Sequence, residues 1–128
     1  IVSGADGEAV FTTFRTNRRA AFCTAFAPLG DVNADGAPDF AVSEPRVSRM
    51  WDGRGRIYLV SGADGEPLGT LAPDRLDAAF GLDMAVGQLV PDGPPELIVR
   101  ALAIDVETGE YDELRAYDLT ELIAERTR

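Results

Sequence analysis

The residues best suited to chemistry in this sequence lie in the stretch Gly30-Asp31-Val32-Asn33-Ala34-Asp35-Gly36-Ala37-Pro38-Asp39. Counted from Asp31, side-chain oxygens fall at positions 1, 3, 5 and 9, with a glycine at position 6. Alternate residues of a tight loop can aim their oxygens at one centre, and calcium, a hard cation, takes about six to eight oxygen ligands. Asp31, Asn33, Asp35 and Asp39 are the candidate side-chain ligands, and Ala37 at position 7 would supply its backbone carbonyl. Gly36 suits the sharp turn, where a Cβ would be penalised. A polar turn is the competing reading, because Asp, Asn and Gly dominate turns in any case. Acids at positions 1, 5 and 9 with an amide at 3 are more than a turn requires, so the expected cofactor is Ca2+. An EF-hand loop carries an acid at position 12, which here is Val42, so neither an EF-hand nor a dockerin is expected.

The elements that must position this loop are short and mostly β. The loop runs directly into Phe40-Ala41-Val42, an apolar run that reads as a strand. Further strand-like runs are Ala25–Leu29, Phe40–Ser43, Arg56–Val60 and Pro67–Leu71, then Leu82–Val86, Glu96–Leu102 and Glu113–Leu119. Gly-, Pro- and Asp-rich turns separate them. Ser61-Gly62-Ala63-Asp64-Gly65 reads as a hairpin loop with Gly65 at positive φ, which makes Asp64, and Asp6 in the matching segment, turn formers rather than ligands. Thr120 to Arg128 has a helical pattern with Thr120 as its expected cap.

The chain repeats itself. Val2-Ser3-Gly4-Ala5-Asp6-Gly7-Glu8 returns as Val60-Ser61-Gly62-Ala63-Asp64-Gly65-Glu66, an offset of 58, and Ala20-Ala21-Phe22 returns as Ala78-Ala79-Phe80. The stretch Gly30 to Val42 returns at an offset of 57 as Gly87 to Val99. In this second copy Gln88 replaces Asp31 and Val90 replaces Asn33, leaving only Asp92 and Glu96 acidic, so it is expected to be a structural turn without metal. Four short strands in a unit of this length is the arithmetic of a β-propeller blade.

Composition narrows the function classes. The 128 residues suffice for one small domain, with 45% hydrophobic and 27% charged content. Net charge is −10, and residues 64–128 carry all of it, since the acids and arginines of residues 1–63 balance. Nucleic acid is therefore not an expected partner, because phosphate binding needs a cationic footprint. No apolar run reaches the length of a membrane span. Histidine is absent, which removes Ser-His-Asp triads, Cys-His pairs and the usual zinc sites. The single cysteine, Cys23, permits no disulfide within the chain and is expected to be a small buried hydrophobe beside Phe22. No nucleophile motif or phosphate-cradling loop appears, and no enzyme activity is expected. Ile1-Val2-Ser3 reads as a start inside a strand, and the expectation is a mature or excised piece of something longer.

These residues resemble the FG-GAP repeat, the blade unit of integrin α-subunit propellers. The resemblance rests on Phe80-Gly81, on the Gly30–Asp39 loop and on the Ser-Gly-Ala-Asp-Gly hairpin, which is similar to those of secreted bacterial FG-GAP proteins. Phe22-Cys23 departs from the Phe-Gly pair, while Ser43-Glu44-Pro45 and Arg100-Ala101-Leu102 are degenerate forms of the Gly-Ala-Pro tripeptide. The resemblance implies an all-β propeller of about two four-stranded blades. Residues 1–21 would end a preceding blade, with Ala9–Phe14 as its fourth strand. Residues 22–79 would form the blade with the calcium loop, 80–119 a second, incomplete blade, and 120–128 a tail. Two blades cannot close a ring, so the chain is expected to be either part of a longer propeller or a protomer of a homo-oligomeric ring.

In that architecture the long connection from Arg46 to Arg56 lies opposite the calcium loop. Arg46, Arg49, Trp51 and Arg54 are its candidate ligand-binding residues, because Arg and Trp are enriched at binding hot spots. The alternative is a solvated loop whose Trp51 covers a neighbouring blade. The function implied is a secreted or cell-surface scaffold that binds an extracellular protein or glycan, as in adhesion. The alternative is a non-catalytic accessory domain of a secreted hydrolase.

Overall fold

The computed structural model describes residues 1–9, 22–45, 55–73 and 77–124. The fold is all-β with one short helix. Strands β1 (Phe26–Gly30), β2 (Asp39–Glu44), β3 (Arg56–Val60) and β4 (Pro67–Leu71) form an antiparallel sheet in simple sequence order. Strands β5 (Asp77–Gly87), β6 (Glu96–Asp105) and β7 (Gly109–Asp118) form a second antiparallel sheet, followed by helix α1 (Leu119–Ala124). The sequence-derived runs match the first sheet to within a residue at each end. In the second sheet β5 and β7 begin earlier and β6 runs three residues further, because cross-strand pairing continues through Ala103–Asp105. The expected strand over residues 9–14 lies outside the described residues except for Ala9, which bridges Val2.

Strand alternation explains how the sheets stack. In β1, Ala27 and Leu29 are buried while Phe26 and Pro28 point the other way, the period-2 pattern of a strand covered on one face. Strand β2 is buried at every position, so both of its faces are covered. Ala27, Leu29, Ala41, Ile57 and Leu59 meet Phe80, Met84, Leu97 and Val99 in the core between the sheets. Phe40, Val42 and Val60 form a second cluster on the far face of the first sheet, with Phe22 and Tyr58 against them.

The dipeptide Phe80-Gly81 is the keystone of the sheet contact. Phe80 is fully buried, with Tyr117 edge-on at 6.2 Å and the Arg115 guanidinium 5.7 Å above its ring. Burying a side chain of this size is worth about 2–3 kcal/mol. Gly81 follows at φ 87°, where a Cβ would come within 2.8 Å of the Ser43 Cβ. Cys23 takes the same left-handed backbone, at φ 64°, without being glycine. Its expected burial is not observed: Cys23 is exposed. The left-handed kink turns its side chain outward while the neighbouring Phe22 packs inward, 6.1 Å from Tyr58.

The helix differs from expectation at its start. The Asp118 carboxylate accepts the N–H groups of Thr120 and Glu121, so Asp118 and not Thr120 caps it. Leu119 is buried and its N–H donates to the Pro95 carbonyl, drawing α1 against the loop between β5 and β6.

Candidate functional site

The Asp31–Asp39 loop joins β1 to β2, and it is organised by side chains accepting its own N–H groups. Asp31 accepts from Asp35 N (3.0 Å) and Gly36 N (2.9 Å). Asn33 Oδ1 accepts from Asp35 N (3.2 Å), and Asn33 Nδ2 donates to Asp35 Oδ2 (2.8 Å). Asp35 Oδ1 accepts from Ala37 N (2.9 Å). Asp39 Oδ2 accepts from Val32 N (2.9 Å) and Asn33 N (3.3 Å). Gly36 takes the positive φ expected of it (93°), and Ala34 adopts one too (60°), a strain that its sequence position did not signal.

Two further donors reach the loop from the hairpin between β3 and β4. Ser61 Oγ donates to Asp35 Oδ2 at 3.1 Å, and Gly62 N donates to Asp39 Oδ1 at 3.0 Å. Ser61 is 3% exposed and Asp39 1%, so the acid at the foot of the loop is a buried carboxylate satisfied on both oxygens. Sequence reasoning missed Ser61 and Gly62 as partners of the loop. The repetition of Ser-Gly at offset 58 was the available signal.

The five candidate ligands thus share one loop, and hydrogen bonds join Asp31, Asn33, Asp35 and the Ala37 backbone directly. Asp39 stands apart at the start of β2, tied to the loop through the Val32 and Asn33 amides. Among the described residues no three acids converge as a ready-made metal group. The donor chemistry nonetheless suits a hard cation, being carboxylate, amide and carbonyl oxygen throughout. Asp35 is held below the ordinary aspartate value of 3.8, first by the Ala37 N–H, then by Asn33 and Ser61. Its charged form is the one this loop is built around.

The second loop, between β5 and β6, keeps the frame and loses the acids. Glu96 accepts from Leu89 N at 2.9 Å, as Asp39 does from Val32 N one unit earlier. Gln88, in the place of Asp31, donates its Nε2 to the Gly93 carbonyl at 2.7 Å. A donor therefore stands where the first loop has an acceptor, and Val90 brings no oxygen on its side chain. Asp6 and Asp64 accept the N–H groups of Glu8 and Glu66, as turn formers do. The candidate ligand-binding residues Arg46, Arg49, Trp51 and Arg54 lie outside the described residues. No described helix is long and apolar enough to cross a membrane.

Comparison with protein-family models and with curated proteins finds no match for this chain.

Proposed function

We propose that this chain is a calcium-stabilised segment of an FG-GAP-type β-propeller, serving as a secreted or cell-surface scaffold for an extracellular protein or glycan. The observation that carries the reading is the equivalence of the two sheets, face for face. At the repeat offsets Phe22 corresponds to Phe80, Phe40 to Leu97, Val42 to Val99 and Val60 to Tyr117. In the second unit these residues form the face that packs on the first sheet; in the first unit they form the cluster on the face turned away. Stacking in one constant sense is head-to-tail and can be continued unit after unit, as propeller blades are.

The metal part of the reading rests on Asp31, Asn33, Asp35, Asp39 and the Ala37 carbonyl. Calcium there would neutralise the carboxylates of Asp31 and Asp35, with Asp39 at the foot of the same loop. The test is capture by the immobilised chain of glycans and extracellular-matrix proteins, run with calcium and again with chelator. Calcium-dependent retention is expected. Retention of nothing, together with no calcium uptake in titration calorimetry, would contradict the reading.

A further inference from the structure

The first sheet receives the second at a few positions where the two nearly touch. Gly81 stands so close to β2 and β3 that a Cβ on it would lie 2.8 Å from the Ser43 Cβ and 3.2 Å from Ile57 Cγ1. Gly55 is approached in turn, since a Cβ there would lie 2.9 Å from the Phe80 carbonyl oxygen. Ser43 is fully buried, and its small side chain leaves room for Phe80-Gly81 to seat.

The outer face of the second sheet is built from the same positions, 57 residues on. Register agrees strand for strand: Ser43 pairs with Ile57 as Arg100 pairs with Leu114. Ala41 corresponds to Ile98 and Ile57 to Leu114, so these positions stay apolar, and Leu114 is 72% exposed. The two positions that admit Phe80-Gly81 change character together: Ser43 corresponds to Arg100 and Gly55 to Asp112. Arg100 Nε donates to Asp112 Oδ1 at 3.0 Å, and Nη2 lies 2.9 Å from the same oxygen. The side chains are 49% and 60% exposed, so this ion pair stands over the sheet in water.

The far end of the stack carries a matching change. Cys23 corresponds to Gly81 at offset 58 and shares its left-handed backbone, at φ 64° and 87°. Against a face shaped like that of the first sheet, its Cβ would meet the receiving strand as a Cβ on Gly81 would meet Ser43.

We propose that Arg100, Asp112 and Cys23 keep copies of this chain from stacking head to tail. An internal contact repeated at both ends of a molecule is a heterologous interface, and such interfaces grow into open chains unless the rotation closes. A second copy would have to bury the Arg100–Asp112 pair under a sheet, and the attraction within a buried pair repays its desolvation only in excellent geometry. It would also bring side chains into the space that Gly55 and Gly81 leave open in the internal contact. A unit of different sequence can answer the pair with polar groups of its own, whereas a second copy presents Phe22 and Cys23. The block concerns copies of the chain; neither the ligand nor the calcium loop takes part in it.

Sedimentation velocity of the full 128-residue chain and of two variants tests this, with the amide spectrum of each read first for fold. Arg100→Ser with Asp112→Gly opens the outer face of the second sheet, and Cys23→Gly opens the far end. The parent should sediment as a 13.7 kDa monomer, and so should each variant alone, because each keeps one closed end. An equimolar mixture of the two variants should sediment as a heterodimer. All three substitutions in one chain should give assemblies that lengthen with concentration. Arg100→Ser with Asp112→Ala, which spares β7 a glycine, replaces the first variant if that one does not fold, and should associate more weakly in the same mixture. A parent that forms multimers, or a mixture of folded variants that stays monomeric, would overturn the proposal.

Discussion

Gly62 and Pro38 are in backbone contact, so close that a Cβ built on Gly62 would strike the Pro38 carbonyl oxygen and lie 2.8 Å from its carbon. This contact seats the β3–β4 hairpin on the β1–β2 loop, and it brings the Gly62 N–H onto Asp39 and the Ser61 hydroxyl onto Asp35. The loop that carries the acids and the hairpin that repeats in sequence are therefore one construction. Closing it buries Asp39, whose carboxylate accepts from the Val32, Asn33 and Gly62 amides.

The first consequence concerns two glycines of identical sequence context. Gly62→Ala is expected to destabilise the chain by about 2 kcal/mol or more, because backbone rather than a flexible side chain must move. Gly4→Ala, with nothing within 4 Å among the described residues, should stay within about 0.5 kcal/mol of the parent. Urea unfolding of the two variants side by side reads the difference.

A second pair of predictions concerns the left-handed position after each repeat phenylalanine. Cys23 sits at φ 64° with an exposed side chain, so Cys23→Gly removes strain of about 1–2 kcal/mol and adds back part of it as unfolded-state entropy. A net gain of about 0.5 kcal/mol is expected. Gly81→Ala combines a φ of 87° with a Cβ 2.8 Å from that of Ser43, and should cost about 2–4 kcal/mol. Thermal melts of both variants check the opposite signs.

Acid should loosen the loop. Asp35 has its folded pKa below 3.8, so the unfolded chain binds its proton more readily than the folded one. Stability from this group is fully present above the ordinary aspartate value and is lost as pH falls through the lower folded value. Hydrogen exchange at the Ala37 amide, which donates to Asp35, should accelerate relative to the hairpin amides in that acid window. In Asp35→Asn the acid dependence at Ala37 should flatten; an unchanged profile would mean that Asp35 is not the group responsible.

Much of the scaffold is legible in the sequence, and the reasons are specific. Strands β1 to β4 can be read because short apolar runs are punctuated by Gly, Pro and Asp, and the hairpins because seven residues recur identically. Gly65 at positive φ comes from turn chemistry alone. Cys23 departs from expectation because its exposure depends on backbone handedness, which residue type does not disclose. The helix start shifts to Asp118 because an acid that ends a strand can also cap the adjoining helix, and Asp is the better cap of the two. In the candidate site, the spacing of oxygens is visible but not the hairpin donors, since Ser61 and Gly62 lie 26 and 23 residues from their partners. Sheet packing, not local sequence, brings them there.

Calcium binding at the Asp31–Asp39 loop is tested most directly by the melting temperature of the chain with calcium and with chelator, for the parent and for Asp35→Ala. A site with Kd of ~0.1 mM adds about 1.4 kcal/mol at roughly 1 mM calcium, a rise of about 4 °C for a domain of this size. That rise is expected for the parent, with its loss in Asp35→Ala and its retention in Asp92→Ala, which alters only the second loop. A parent melting temperature indifferent to calcium would contradict the assignment.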